Sequence, residues 1–204
     1  MNIDSFTGGI FDTTCYYLPR SGILIDAPQG AAEWLGEVQH KVRLLLLTHG
    51  HIDHSWDAAQ IQREHGCTLA CHADTVPLVT VRDFFKEFGM MWEIEPVRVD
   101  RLLEESPETI LEGVPFQIFL VPGHCPGSLC FFQKEWQVLF GGDVLFAGSI
   151  GRSDLPGGDH QLLLRGIREK LFALDDKVTV LSGHGPATKI GVERRHNPYV
   201  GEEA

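Results

Sequence analysis

The chain has no long hydrophobic run. Its apolar stretches, of which Leu44-Leu45-Leu46-Leu47 is typical, fall far short of the roughly 20 residues that span a bilayer, so no membrane association is expected. The N-terminus, Met1-Asn2-Ile3-Asp4-Ser5-Phe6, lacks the basic region and the apolar core of a secretory leader. Cysteines are few, odd in number and irregularly placed: Cys15, Cys67, Cys71, Cys125 and Cys130. That usage predicts reduced thiols and a cytoplasmic protein. Cys67 and Cys71 stand four apart with no second pair, so a structural zinc knot is not expected there. Basic residues are also scarce, 17 Lys and Arg against 28 Asp and Glu, for a net charge of -11. Such a surface repels phosphate backbones and argues against a nucleic-acid partner. Anionic small molecules stay open as substrates, because a bound metal inverts the local field. No repeat or low-complexity tract is visible. What is present, 204 residues with 43% hydrophobic and 22% charged, predicts one globular domain over 1–204 with a real core.

Periodicity predicts an α/β chain. Strands are expected at Thr14–Leu18, Gly22–Asp26, Val42–Thr48, Thr68–Cys71, Val114–Val121, Leu129–Gln133, Gln137–Phe140 and Val178–Leu181. Helices are expected over Ala31–His40, with Ala32, Leu35 and Val38 on one face, over Ser55–His65 with Ser55 as N-cap, over Ala73–Phe88, and over Asp159–Leu174. His49, His124, Asp143 and His184 each follow an apolar strand, three of them directly behind a glycine. Strand ends are where open α/β sheets place their ligands.

The densest chemistry is His49-Gly50-His51-Ile52-Asp53-His54, four metal-ligand side chains in six residues. With ten His in the chain, a chance His-x-His means little, but the full His-x-His-x-Asp-His string arises by chance in roughly one such chain per thousand by composition arithmetic. A tetrahedral ion takes at most four ligands and a catalytic one keeps a position open, so the cluster is too large for one ion. The natural completion gives His49, His51 and His124 to a first ion and Asp53, His54 and His184 to a second, with Asp143 as the bridge. Two ions so placed clamp a hydroxide between them. Asp53 and Asp143 are the carboxylates of the catalytic set. Zinc is the first expectation, and iron or manganese also accept these donors. His40, His65, His72, His160 and His196 are assigned no chemistry.

These residues carry a resemblance. Thr48 to His54, Pro122-Gly123-His124, Gly141-Gly142-Asp143 and Gly183-His184-Gly185-Pro186 resemble the metallo-β-lactamase fold superfamily across nearly the whole chain. The segments Gly148–Gly158 and Ile190–Tyr199 resemble more narrowly the single-domain relatives of glyoxalase II. The resemblance implies an αββα sandwich of two mixed β-sheets flanked by helices and a binuclear site with the ligands named above. It also implies a small-molecule substrate, a thioester of the S-2-hydroxyacylglutathione type. The chain departs from the family at Ser55-Trp56-Asp57, where small residues are usual, and about 20 residues follow His184 instead of a helical substrate domain. A mononuclear iron persulfide dioxygenase using His49, His124 and Asp143, a lactone hydrolase, and a metal-binding domain without turnover are the alternatives. The acidic surface disfavours RNA-cleaving relatives. Trp56, Arg152 and Lys189 are candidate substrate contacts, Arg194 and Arg195 join Lys189 as candidates for a substrate carboxylate, and Arg152 with Asp154 is also a candidate to orient the metal ligands or, equally, an ordinary surface ion pair. Cys125 is expected to be a packing residue, and Phe84, Phe85, Phe88 and Trp92 are candidate cleft walls.

Overall fold

Strands covered on both faces must be apolar along their whole length, and two such strands organise the first half of this protein. The computed structural model describes residues 2–82, 86, 89, 94–202 and 204. The chain divides into two compact units, Met1–Leu103 with Ile110–Val114, and Glu104–Thr109 with Pro115–Ala204. In the first unit β1 (Asp4–Gly8), β2 (Thr13–Leu18), β3 (Ile23–Ile25), β4 (Leu44–Leu46), β5 (Thr68–Cys71) and β6 (Arg101–Leu102) pair in that order. β1 to β3 are antiparallel and β3 to β6 are parallel. β3 and β4 are buried throughout. Parallel neighbours need crossovers. These are α1 (Ala31–Glu37) between β3 and β4, then α2 (Ile52–Ser55) and α3 (Ala58–His65) between β4 and β5. Because β3, β4 and β5 run the same way, Asp26, Thr48 and His72 all leave the sheet at one edge.

In the first unit three helices differ from expectation. α1 stops at Glu37, Gln39 takes φ 54°, and Val38 is 41% exposed instead of facing the core with Ala32 and Leu35. Ser55 is not an N-cap. It ends α2, and its hydroxyl donates to the His51 carbonyl at 3.2 Å, while α3 starts after Asp57. The Asp57 carboxylate instead accepts from the Gly30 and Ala32 N–H groups at 2.9 and 3.0 Å. It thus serves the N–H groups at the start of α1 that have no intrahelical acceptor, a helix with no local side-chain cap. Burial holds the Asp57 carboxyl above the usual range, although the Ala32, Gly30 and Ala31 N–H groups pull the other way. The helix expected over Ala73–Phe88 is a single 3-10 turn, Ala73–Thr75, then α4 (Val76–Thr80), and the backbone is extended at Val81. Phe84, Phe85, Phe88 and Trp92 lie outside the described residues.

The second sheet holds β7 (Ser106–Leu111), β8 (Val114–Leu120), β9 (Leu129–Gln133), β10 (Val138–Gly142), β13 (Thr179–Ser182) and β14 (Thr188–Lys189), in the order β14-β13-β10-β9-β8-β7. A separate small hairpin joins β11 (Leu145–Phe146) to β12 (Ser149–Ile150). β8, β9 and β10 are antiparallel in turn, and β10 and β13 are parallel. β8, β10 and β13 therefore point the same way. Phe119, Cys130, Phe132, Leu139, Leu163, Ile167, Leu171 and Val180 form the core of this unit. α5 (His160–Gly166) begins at Asp159, whose carboxylate accepts the Leu162 N–H at 2.9 Å, and it continues as a π-helical turn over Ile167–Leu171. This replaces the single helix expected to Leu174. The chain closes with α6 (Ile190–His196). None of the helices among the described residues is long and apolar enough to cross a membrane.

Asp57→Ala should lower stability by about 1–2 kcal/mol, the size of a lost helix cap, read as a shift of the urea midpoint at unchanged slope. An unchanged midpoint would remove Asp57 from the account of how α1 starts.

Candidate metal centre

In the first unit the donors begin where β4 ends. Gly50 lets the backbone pass close to α4, because a Cβ there would stand 2.6 Å from the Leu78 Cβ. His49 and His54 are buried, and His51 and Asp53 half-buried. His49 Nε2 and His51 Nδ1 stand 3.1 Å apart, with their rings near perpendicular. Asp53 Oδ2 accepts from the Thr13 hydroxyl at 2.8 Å and lies 3.4 Å from His54 Nε2.

Behind these donors sits Asp26, buried at the end of β3 with φ 63°. Its Oδ1 accepts the Thr48 N–H at 2.8 Å, and its Oδ2 accepts the Thr48 hydroxyl at 2.8 Å and His54 Nδ1–H at 2.9 Å. The Thr48 hydroxyl, having given its proton to Asp26, accepts from His49 Nδ1 at 3.1 Å. One carboxylate thus fixes two imidazoles as Nδ1–H tautomers, with the lone pair on Nε2, the usual support of a metal-binding histidine.

In the second unit the shared direction of β8, β10 and β13 brings His124, Asp143 and His184 to one edge. The Gly183 N–H donates to the Gly142 carbonyl at 2.9 Å, holding the two strand ends side by side. Gly123 takes φ 125°, and a Cβ there would meet the Asp159 carbonyl oxygen and the Leu163 N at 2.5 Å, so only glycine fits in front of His124. His124 Nδ1 donates to the Arg152 carbonyl at 2.8 Å, again leaving the lone pair on Nε2. Asp143 Oδ2 lies 3.6 Å from His124 Nε2 and 3.3 Å from His184 Nε2.

These spacings test the fit of a metal. Nitrogen and oxygen ligands at 2.0–2.1 Å from one tetrahedral ion stand about 3.3–3.4 Å apart. The four donor pairs, at 3.1, 3.3, 3.4 and 3.6 Å, bracket that edge; the three carboxylate–imidazole pairs exceed the usual hydrogen-bond length, and the His49–His51 pair lies within it. Side chains able to hold an ion therefore include His49, His51, Asp53 and His54 of the first unit and His124, Asp143 and His184 of the second. Imidazole and carboxylate donors suit divalent first-row metals.

Burial pushes Cys67 up to about 11 and Cys71 and Cys130 up to about 12, and raises Cys15 further. All five cysteines are buried and outside disulfides. The Arg152 guanidinium pairs with Asp154 at the surface, at 2.8 and 2.7 Å, and holds the Asp154 carboxyl down at about 2. Arg152 supports the donors through its backbone carbonyl. Arg194 and Arg195, candidates for a substrate carboxylate, instead reach Asp176 at 2.9 and 2.8 Å. Trp56 is half-buried just past α2, and Lys189 is exposed on β14. The residues that the sequence reading missed are Asp26, Thr13 and the Arg152 carbonyl. Asp26 had a usable signal, since it ends an apolar strand as His49 does.

Residues 13–184 match the metallo-β-lactamase superfamily, and the chain belongs to that family of metallohydrolase fold. It is 35% identical to the hydroxyacylglutathione hydrolase GloC of Haemophilus influenzae, over 100% of both chains. Among solved structures it is similar to the B3 metallo-β-lactamase BLEG-1, with a TM-score of 0.87 and 33% identity over 98% of this chain and 99% of that one. It is also similar to TTHA1623 in a di-iron-bound form, with a TM-score of 0.84 and 32% identity over 96% and 99%. The metallo-β-lactamase fold expected from the motifs is therefore the fold of the chain.

Asp26→Asn should act through tautomers. Because Oδ1 must still accept the Thr48 N–H, the new amide nitrogen faces His54 Nδ1 and donates to it. His54 then carries its proton on Nε2. Zinc affinity measured by chelator competition should fall about 10–100-fold, the range for lost support of a metal ligand. Parental affinity would show that Asp26 does not set the ring.

Proposed function

We propose that this chain is a binuclear metallohydrolase that cleaves thioesters of the S-2-hydroxyacylglutathione type. In this reading His49, His51 and His124 hold one ion, Asp53, His54 and His184 hold the other, and Asp143 bridges them. The observation that carries it is the position of Asp143 Oδ2, within 3.3 Å of His184 Nε2 and 3.6 Å of His124 Nε2, as one carboxylate serving two ions requires. The substrate class is supported by the full-length likeness to GloC. Two divalent ions bound there would bring the pKa of a water to about 7 and polarise the thioester carbonyl.

The chain's own groups do the rest. Asp26 and Thr48 hold His49 and His54 in the ligating tautomer, and the Arg152 carbonyl does the same for His124. A thiol with a pKa near 8.5 leaves as thiolate with little need of protonation, so no general acid beyond the donor set is required. The Trp56 indole, two residues past His54, lines the approach of the acyl group. Lys189 offers a cation to a substrate carboxylate.

The test is a paired assay on metal-quantified protein, with S-lactoylglutathione hydrolysis set against oxygen uptake with glutathione persulfide. Hydrolysis lost to a chelator and restored by zinc is expected. Oxygen uptake with one iron per chain and no hydrolysis would sink the proposal. Asp143→Ala should release both ions, counted by metal analysis. Loss of only one would show that Asp143 is not the bridge.

A further inference from the structure

The segment Ile190–Tyr199 contributes no donor, yet it carries two of the polar side chains buried in the second unit. Glu193 is 2% exposed and Asn197 1%. Glu193 Oε2 accepts from the Gly148 N–H at 3.0 Å and from Asn197 Nδ2 at 2.7 Å, and Oε1 accepts from the Thr188 hydroxyl. The second Asn197 N–H donates to the Ser149 carbonyl at 3.0 Å. Both side chains thus grip the turn of the β11–β12 hairpin, where Gly148 takes φ 67°.

This hairpin lies between two supports of the donor set. It starts two residues after Asp143 and ends two residues before Arg152. At its end, Gly151 is pressed so closely on the donors that a Cβ would stand 2.0 Å from the Asp143 carbonyl oxygen and 3.0 Å from the His124 side chain. The next residue, Arg152, supplies the carbonyl that holds the His124 ring. Moving the hairpin therefore moves the backbone of Asp143 and the ring of His124 together.

The post that grips the hairpin is itself fixed. Arg194 and Arg195 tie α6 to Asp176, and Arg194 donates to the Leu174 carbonyl at 2.7 Å. Ile190 is part of the core, and Gly191 sits where a Cβ would be 2.6 Å from Asp176.

We infer that Glu193 and Asn197 are positioning residues of the metal centre, clamping the Gly148–Ser149 turn so that Asp143 and His124 are held in ligating geometry. The inference rests on the metal-centre reading above and not on the identity of the substrate. A merely structural role would lower stability and leave metal affinity alone, and substitutions separate the two. Glu193→Ala removes the clamp. Asn197→Asp is isosteric but cannot donate to the Ser149 carbonyl, and it sets a carboxylate against Glu193. Glu193→Gln keeps the clamp, because its amide oxygen accepts from Gly148 and Asn197 while its amide nitrogen donates to the Thr188 hydroxyl. Val178→Ala opens a cavity in the same core without touching the hairpin.

The readout is zinc affinity by chelator competition, well below each variant's unfolding temperature. Glu193→Ala and Asn197→Asp should bind zinc about 10–100-fold more weakly. Glu193→Gln should bind like the parent, and Val178→Ala should lose melting temperature alone. If Glu193→Ala does not fold, Asn197→Asp carries the test. Clamp-breaking variants that melt earlier but hold zinc as tightly as the parent would overturn the inference. Because zinc affinity is what is measured, the outcome is the same whether or not thioesters are the substrate.

Discussion

Where β3 leaves its sheet, a single buried carboxylate organises the densest part of the site. Asp26 receives the Thr48 N–H, the Thr48 hydroxyl and His54 Nδ1, and through that hydroxyl it also governs His49. A carboxylate only accepts hydrogen bonds, so every group facing it must donate. That requirement propagates outward and leaves Nε2 of both imidazoles with its lone pair. Burial makes the arrangement strict, because an unmet donor in the interior costs about 1–3 kcal/mol. The left-handed backbone at Asp26 belongs to the same arrangement, since Asp is among the few side chains that tolerate that region.

The second unit reaches the same end by different means. His124 is set by a backbone carbonyl, and that carbonyl belongs to a loop pressed against Asp143 with no room for a side chain at Gly151. A hydrogen bond donated by the ring to a rigid backbone carbonyl orients it as firmly as one to a carboxylate does, provided something fixes the backbone. The polar contacts of α6 meet that need from residues more than forty positions further along the chain. Strand direction supplies the rest, because β8, β10 and β13 point the same way and deliver their C-terminal residues to one edge.

Much of this is legible in the amino-acid sequence. The apolar runs that form β2 to β5, β8 to β10 and β13 are each marked by continuous apolar character or alternation. The seven candidate donors are marked by residue type, four of them just past apolar strands and the others in the loop and short helix that follow His49. The reading failed where periodicity is weak or where distant residues decide. β1 alternates between half-buried and exposed positions, so no apolar run announced it. α1 ended a turn early, because backbone geometry at Gln39 outweighed the apolar stripe that pointed to Val38. Ser55 looked like an N-cap by type, but its hydroxyl turned back to the His51 carbonyl. Asp57, which no local pattern marks, supplied the cap for a helix that begins more than twenty residues earlier.

Residue type and period by themselves mark the apolar strands and so the α/β class, and the motif residues carry the resemblance that points to the family and its fold; ligand chemistry depends on residue type, which is why the seven candidate donors stand out in the chain. Tertiary structure decided which nitrogen of each ring faces forward, that Arg152 acts through its carbonyl while its guanidinium serves Asp154, and that the final helix reaches back to the β11–β12 turn. These are contacts between residues far apart in sequence. Their partners are chosen by how strands and loops meet in space, which no local pattern encodes.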